Sequence, residues 1–148
     1  METVLVTGAG GYIGSTLVDQ LLAAGKRVVG LDRDFFGEAL LGDTLTHPSF
    51  TLLRKDIRAI DEADFRGVDA VCDLAALSND PAGALDERLT YAINHEARVR
   101  AATLAKRAGV KRYVLARSCS VYGSGDNQGL TEASTPNPIS TYAHANLK

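Results

Sequence analysis

A glycine-rich turn near the start of the chain has the residue types and spacing that a bound pyrophosphate requires. Glycines occur at positions 8, 10, 11 and 14, between a short apolar run and a segment with helical spacing. They permit a tight turn, a close approach of backbone to phosphate, and close packing of helix on strand. The following helix N-terminus adds unpaired N–H groups and the positive end of its dipole. The turn therefore predicts a dinucleotide site. The expected contacts are Gly8, Gly10, Gly11, Tyr12, Ile13 and Gly14.

An acidic residue follows the second apolar run, where the second strand is expected to end. The Asp32 carboxylate can accept hydrogen bonds from the hydroxyls of an adenosine ribose, and its charge would repel a 2′-phosphate. The adjacent Arg33 is a complication, because its guanidinium could hold that same phosphate. The sequence favours NAD over NADP as the cofactor, with Asp32 and Arg33 both at the ribose.

These residues need a scaffold, and the pattern along the chain predicts one. Apolar runs alternate with segments of helical spacing, which indicates an α/β fold of the Rossmann type with a doubly wound parallel sheet. Strands are expected at 3–7, 27–31, 50–53, 70–75 and 113–116, and helices at 11–24 and 85–108. The apolar face of the first helix should contain Ile13, Leu17, Leu21 and Ala24. Residues 34–49 are expected to form a loop with about one helical turn.

The bulk properties exclude several function classes. The 148 residues suit one domain, and a hydrophobic content of 45% is enough for a core. The net charge of −2 argues against a nucleic-acid surface or a basic membrane patch. No apolar run reaches the roughly 18 residues of a membrane span, and the lack of a signal peptide predicts a cytoplasmic protein. Cys72 and Cys119 lack metal-ligand spacing, so reduced thiols and no metal site are expected.

The chain resembles the extended short-chain dehydrogenase/reductase family, whose main members are NAD-dependent nucleotide-sugar epimerases and dehydratases. The similarity rests on Gly8-x-x-Gly11-x-x-Gly14 after a threonine and on segments 55–58 (Lys-Asp-Ile-Arg), 73–76 (Asp-Leu-Ala-Ala) and 118–123 (Ser-Cys-Ser-Val-Tyr-Gly). It also includes Asn94 and the approach Pro136-Asn137-Pro138 to Tyr142. The resemblance implies catalytic roles for Ser118 and Tyr142. The further cofactor contacts that it implies are Asp56 and Ile57 beside the adenine and Leu74, Ala75 and Ala76 along the middle of the cofactor.

Two positions depart from the family pattern. Asp73 stands where histidine is common, and Asn146 follows Tyr142 at i+4 where the family motif has lysine. Lys148 is at i+6, on another face of the helix, so a small register error does not restore the motif. Asn146 can hydrogen-bond a ribose hydroxyl but carries no charge. We therefore expect Tyr142 and Asn146 to contact the cofactor, with weakened or altered catalysis.

The resemblance implies an NAD-dependent epimerase or dehydratase that transfers hydride between a sugar carbon and the nicotinamide. Residues 1–148 would form its NAD(P)-binding Rossmann domain, without the C-terminal domain that holds the nucleotide sugar in this family. A homodimer through paired helices is also implied. Two alternatives stay open: a non-catalytic NAD-binding sensor, favoured by Asn146, and a reductase of another alcohol such as a hydroxysteroid.

Overall fold

Short apolar runs form a parallel sheet, since strands covered on both faces are apolar in succession. The computed structural model describes residues 1–124 and 129–148, and within those ranges five strands join one sheet. Their bounds are Thr3–Thr7 (β1), Arg27–Asp32 (β2), Phe50–Arg54 (β3), Ala70–Asp73 (β4) and Arg112–Leu115 (β5). The strands are parallel in the order β3-β2-β1-β4-β5, which confirms the predicted Rossmann-type α/β fold.

The fully buried β1 lies in the middle of the sheet, between β2 and β4. Its last residue, Thr7, is in register with Leu31 of β2 and with Asp73 of β4. The strand order changes direction here, because β2 and β3 lie on one side of β1 and the later strands on the other. Open α/β sheets bind ligands at this switch point, outside the carboxyl ends of the strands.

The helices occupy the chain between and after these strands. In the described residues they are Tyr12–Ala23 (α1), Asp80–Leu85 (α2), Glu87–Tyr91 (α3), Arg98–Arg107 (α4) and Thr141–Leu147 (α5). A π-helical segment, Ala92–Ala97, joins α3 to α4. Turns of 3-10 helix lie at Glu38–Leu40, Gly42–Thr46, Ile57–Ala59, Glu62–Phe65 and Cys119–Tyr122. The segment 34–49 thus contains two such turns, where about one had been expected.

The prediction of one helix over 85–108 is wrong at its N-terminal end. Leu85 is the last residue of α2, Asp86 is extended with φ −147° and ψ 98°, and α3 begins at Glu87. The Asp86 carboxylate accepts a hydrogen bond from the backbone N–H of Leu89 at 2.9 Å. Asp86 is therefore an N-cap, and its capping bond favours a new helix start over a continuous helix.

The face that α1 buries differs in part from the predicted one. Leu17 and Leu21 pack against the core as predicted, and Gly14 and Val18 are buried, whereas Ile13 is 68% exposed and Ala24 lies beyond the end of the helix. The reason is the contact of Gly14 with the preceding turn, which brings that side of the helix closest to the backbone of residues 8 and 9. Strand ends shift as well: β2 and β3 each run one residue further than predicted, β4 stops at Asp73, and β5 runs one residue earlier.

The contacts divide the chain into two units. The first comprises 1–75 and 97–116 and contains the sheet, α1 and α4. The second comprises 76–96 and 117–148 and contains α2, α3, α5 and the 3-10 turn at 119–122. Over residues 1–124 and 129–148, the helices are too short or too polar to cross a membrane.

Candidate cofactor and active site

The turn after β1 has a geometry that only glycine fits at two positions. Gly8 has φ +70°, and a side chain there would lie 3.0 Å from the backbone nitrogen of Ala75. At Gly14 a Cβ atom would lie 2.0 Å from the carbonyl oxygen of Gly8, which is a severe overlap. The turn is closed by hydrogen bonds from Gly8 N to Leu31 O at 2.8 Å and from Gly11 N to Gly8 O at 3.2 Å. The roles predicted for Gly8 and Gly14 therefore agree with this geometry.

The other side of the turn is open. A Cβ atom at Gly11 would meet only Gly8 O, at 3.3 Å, and α1 begins at the next residue. Tyr12 and Ile13 are mostly exposed at the start of α1, whose first N–H groups have no partner within the helix. Gly11 is the N-cap and has no side chain to cover those groups. Unpaired N–H groups beside open space suit a pyrophosphate, so the residues present fit the predicted cofactor.

Asp32 ends β2 beside this turn, and backbone amides fix the orientation of its carboxylate. Its Oδ2 accepts a hydrogen bond from Gly10 N at 2.9 Å, and its Oδ1 accepts one from Asp34 N at 2.8 Å. A Cβ atom at Gly10 would lie 3.3 Å from the carboxylate carbon, so this approach needs a glycine or a small shift. Each carboxylate oxygen has a further lone pair, which leaves Asp32 able to accept ribose hydroxyls.

The segment after β3 carries an ion-pair cluster. Asp56 accepts hydrogen bonds from Arg58 Nε at 3.0 Å and Nη2 at 2.7 Å, and Arg33 Nη1 lies 3.5 Å from Asp56 Oδ2. The hydrogen bonds from Arg58, opposed by partial burial and helped by both positive charges, lower the pKa of Asp56 to about 2. Asp56 also caps the turn that begins at Ile57, which is buried. Of the two residues predicted beside the adenine, Asp56 thus lies next to Arg33, and Ile57 begins the turn that Asp56 caps.

Sequence reasoning missed a buried polar network that joins the ends of β1, β4 and β5. Asp73 is fully buried; its Oδ1 accepts from Thr7 Oγ1 at 2.6 Å and its Oδ2 from Tyr113 OH at 2.7 Å. Thr7 Oγ1 in turn accepts the backbone N–H groups of Leu74 and Ala75, both at 3.1 Å. Burial, followed by the charge and hydrogen bond of Asp73, raises the pKa of Tyr113.

An arginine on α4 completes this network. Arg98 is 6% exposed; its Nε donates to Ala75 O at 3.1 Å and lies 3.9 Å from Asp73 Oδ1. A buried carboxylate is costly unless it is paired and hydrogen-bonded, and here it is both. The network fixes Leu74 and Ala75, two of the predicted cofactor contacts, against Thr7, which precedes Gly8. The presence of Asp73 where the family commonly has histidine was a signal in the sequence. It did not identify the partners of the carboxylate, because they are distant in sequence.

In the second unit, the segment around Ser118 is ordered by its own hydroxyl. Ser118 Oγ accepts a hydrogen bond from Ser120 N at 3.2 Å and caps the 3-10 turn at 119–122. That turn packs against α5, the helix that carries Tyr142. Asn137, in the proline-rich approach, donates its backbone N–H to Val121 O at 2.9 Å. The two residues predicted to be catalytic therefore lie on elements that pack together.

The helix α5 holds Tyr142 and Asn146 one turn apart. Ser140 caps it by accepting from Ala143 N at 3.0 Å, and Tyr142 is half-buried next to Gly83 of α2. Asn146 is buried, and its Nδ2 donates to Tyr142 O at 2.8 Å. Lys148 lies over the ring of Tyr91, with Nζ 5.0 Å from the ring centroid. Lys148 therefore does not occupy the position of the motif lysine, as its i+6 spacing predicted.

Two further residues of the second unit were singled out by sequence. Asn94 is buried and forms a pair of hydrogen bonds with Leu77, one accepted from its N–H at 2.9 Å and one donated to its carbonyl at 3.0 Å. The Asn94 side chain thus supports the backbone at Leu77. Ala76, at the start of this unit, is half-buried.

Comparisons with known proteins agree with this architecture. The chain is 37% identical over 147 residues to UDP-glucose 4-epimerase of Mycolicibacterium smegmatis, covering 94% of this chain and 46% of that one. It is 35% identical over 130 residues to a 3β-hydroxysteroid dehydrogenase/Δ5→4-isomerase of Mycobacterium tuberculosis, covering 84% and 34%. The solved structure of MoeE5 in complex with UDP-glucose and NAD superposes with a TM-score of 0.85 at 32% identity, covering 98% and 46%.

The chain therefore spans less than half of the length of these relatives. A family model described as the NAD dependent epimerase/dehydratase family matches residues 4–148, which is nearly all of the chain. The match includes the glycine turn, the Asp73–Ala76 segment and α5. This chain belongs to the NAD-dependent epimerase/dehydratase family.

Proposed function

We propose that this chain forms the NAD-binding part of an enzyme that epimerises or dehydrates a nucleotide sugar. The observation that carries the proposal is the open phosphate turn at the switch point of the sheet, with the Asp32 carboxylate held beside it by Gly10 N. The family match supports a dinucleotide at this turn, and MoeE5, a solved relative, was captured with both NAD and UDP-glucose.

Each group of residues has a defined task in this proposal. The N–H groups at the start of α1 bind the pyrophosphate, and Asp32 accepts the ribose hydroxyls. NAD, when bound, supplies a reversible acceptor for hydride. Tyr142 takes the proton of the sugar hydroxyl while Ser118 donates a hydrogen bond to the same oxygen. Asn146, whose Nδ2 donates to the carbonyl of Tyr142, takes the place of the motif lysine as a neutral partner of the cofactor ribose. Cytoplasmic location and a homodimer complete the proposal.

The runner-up function is a non-catalytic NAD-binding module, and Asn146 favours it. The side chain at the lysine position is neutral, buried and bonded to its own helix. A third candidate, oxidation of another alcohol, is supported by the hydroxysteroid dehydrogenase relative from Mycobacterium tuberculosis. The three candidates differ in what happens after NAD has bound, so they can be distinguished by which substrate, if any, the protein oxidises.

The experiment has two stages. Calorimetry first measures NAD binding to the 148-residue chain and to Asp32→Ala, which should bind NAD more weakly because the ribose hydroxyls lose their acceptor. NADH absorbance is then followed with UDP-sugars and with a 3β-hydroxysteroid, for this chain and for a full-length protein that contains it. Reduction of NAD by a UDP-sugar in the full-length protein supports the leading proposal. Reduction of NAD by the steroid alone favours the third candidate. NAD binding with neither NADH absorbance nor conversion of the UDP-sugar to a new product favours the module, because an epimerase or dehydratase returns the hydride and accumulates no net NADH.

A further inference from the structure

Two guanidinium groups converge on a single carboxylate after β3. Arg58 makes two side-chain hydrogen bonds to Asp56, at 3.0 and 2.7 Å, and Arg33 approaches the same carboxylate to 3.5 Å. Arg33 comes directly after Asp32, the residue predicted to bind the ribose. The cluster carries two positive charges and one negative charge, so removal of the carboxylate would expose two guanidinium groups to any nearby anion.

The carboxylate of Asp32, which precedes Arg33 in the chain, is oriented by backbone amides. Both oxygens of Asp32 accept backbone hydrogen bonds, from Gly10 and from Asp34. The Arg33 guanidinium also lies over the ring of Phe35, with the guanidinium carbon 5.6 Å from the ring centroid. The carboxylate that pairs with Arg33 therefore comes from the neighbouring strand's loop, through Asp56.

We propose that Asp56 is a specificity-determining residue, which keeps Arg33 and Arg58 from binding a 2′-phosphate and so enforces the choice of NAD over NADP. The inference rests on the proposed binding of NAD at the turn. A guanidinium group binds phosphate and carboxylate through the same planar array of N–H donors, so the two anions compete for it. A 2′-phosphate would meet the charge of Asp32 and would also have to displace Asp56 from two arginines.

The alternative is that the cluster is an ordinary surface ion pair. Arg33 and Arg58 have side chains that are 52% and 42% exposed, and exposed pairs contribute little to stability. Specificity is a different property from stability, because it depends on which anion occupies the guanidinium groups when the cofactor is bound. The test therefore measures the affinities of two cofactors.

The variant is Asp56→Asn, which keeps an oxygen acceptor for Arg58 N and removes the charge. Calorimetry gives the Kd of NAD, NADP and the probe 2′,5′-ADP for each protein. We expect NADP and 2′,5′-ADP to bind more tightly to Asp56→Asn, with the Kd ratio of NADP to NAD falling at least about fivefold. Added salt should reduce the change, since exposed charges are screened. Glu62→Gln, which removes a carboxylate 3.7 Å from Arg107, is the matched control and should leave the ratio unchanged.

Arg33→Gln in the Asp56→Asn background should reverse the gain in NADP affinity. A merely structural loss would weaken both cofactors, so a gain in NADP affinity cannot come from damage to the fold. Unchanged or weaker NADP binding in Asp56→Asn overturns the inference and, where the unmodified chain binds NAD, leaves the proposed function intact. Failure of the unmodified chain to bind either dinucleotide overturns both.

Discussion

Replacement of Thr7 by valine tests the buried network directly, because it removes one hydroxyl and keeps the shape of the side chain. Thr7 is fully buried at the end of β1. Its hydroxyl donates to Asp73 at 2.6 Å and accepts the N–H groups of Leu74 and Ala75 at 3.1 Å. Leu74 N retains its bond to Thr7 O at 3.2 Å, whereas Ala75 N loses its hydroxyl acceptor.

The cost follows from these bonds. A hydrogen bond to a buried charged group contributes roughly 1.5–3 kcal/mol, and a buried donor left unsatisfied costs roughly 1–3 kcal/mol. Asp73 keeps the Tyr113 hydroxyl and Arg98, which limits the loss. We therefore expect the free energy of unfolding to fall by about 3 kcal/mol on Thr7→Val. At this chain length each kcal/mol corresponds to about 3 °C, so Tm should fall by about 10 °C.

Urea unfolding followed by circular dichroism at neutral pH measures the change, with linear extrapolation to water. Thr7→Ser keeps the hydroxyl and should lose only about 1 kcal/mol for the missing methyl group. Thr103→Val removes an exposed hydroxyl that bonds Val99 O within α4, and should change stability by less than about 0.5 kcal/mol. The reasoning is refuted if Thr7→Val is no more destabilised than Thr103→Val. Combined with Tyr113→Phe, Thr7→Val should be non-additive, because both donors share Asp73.

Three further predictions concern the turn, the ion pairs and assembly. Gly14→Ala should lose most of its NAD affinity in calorimetry, because a methyl group would overlap Gly8 O, whereas Gly129→Ala, with open space around it, should bind as the unmodified chain does. The pKa of Asp56 is lowered from 3.8 to about 2 on folding, so its stabilisation is present above pH 4 and lost as pH falls towards 2. In urea unfolding, Asp56→Asn should accordingly have a free energy of unfolding at most about 1 kcal/mol lower than that of the unmodified chain at pH 7, because solvent weakens a partly exposed ion pair. The difference should disappear by about pH 2. Light scattering should show a concentration-dependent homodimer that Val99→Glu, at an exposed position of α4, weakens; a monomer at high concentration would contradict this.

The carboxyl ends of the strands illustrate how far sequence reasoning reached. The glycine spacing predicted the turn because each glycine answers a local steric requirement, and the structure has those close approaches at Gly8 and Gly14. Asp32 was placed correctly at the end of β2 for the same local reason. The break at Asp86 was missed, because an N-cap inside an otherwise helical pattern changes the backbone without interrupting the apolar spacing.

The sequence by itself determined the parallel α/β fold, the glycine turn after β1 and the family, because each depends on residue types at fixed short spacings. Only the tertiary structure decided which distant residues share a carboxylate. Thr7, Tyr113 and Arg98 meet at Asp73 because β1 and β5 both flank β4 and α4 returns to its end. Arg33 and Arg58 meet at Asp56 because β2 and β3 are neighbours in register. Such partners depend on strand order, which no local pattern in the chain records.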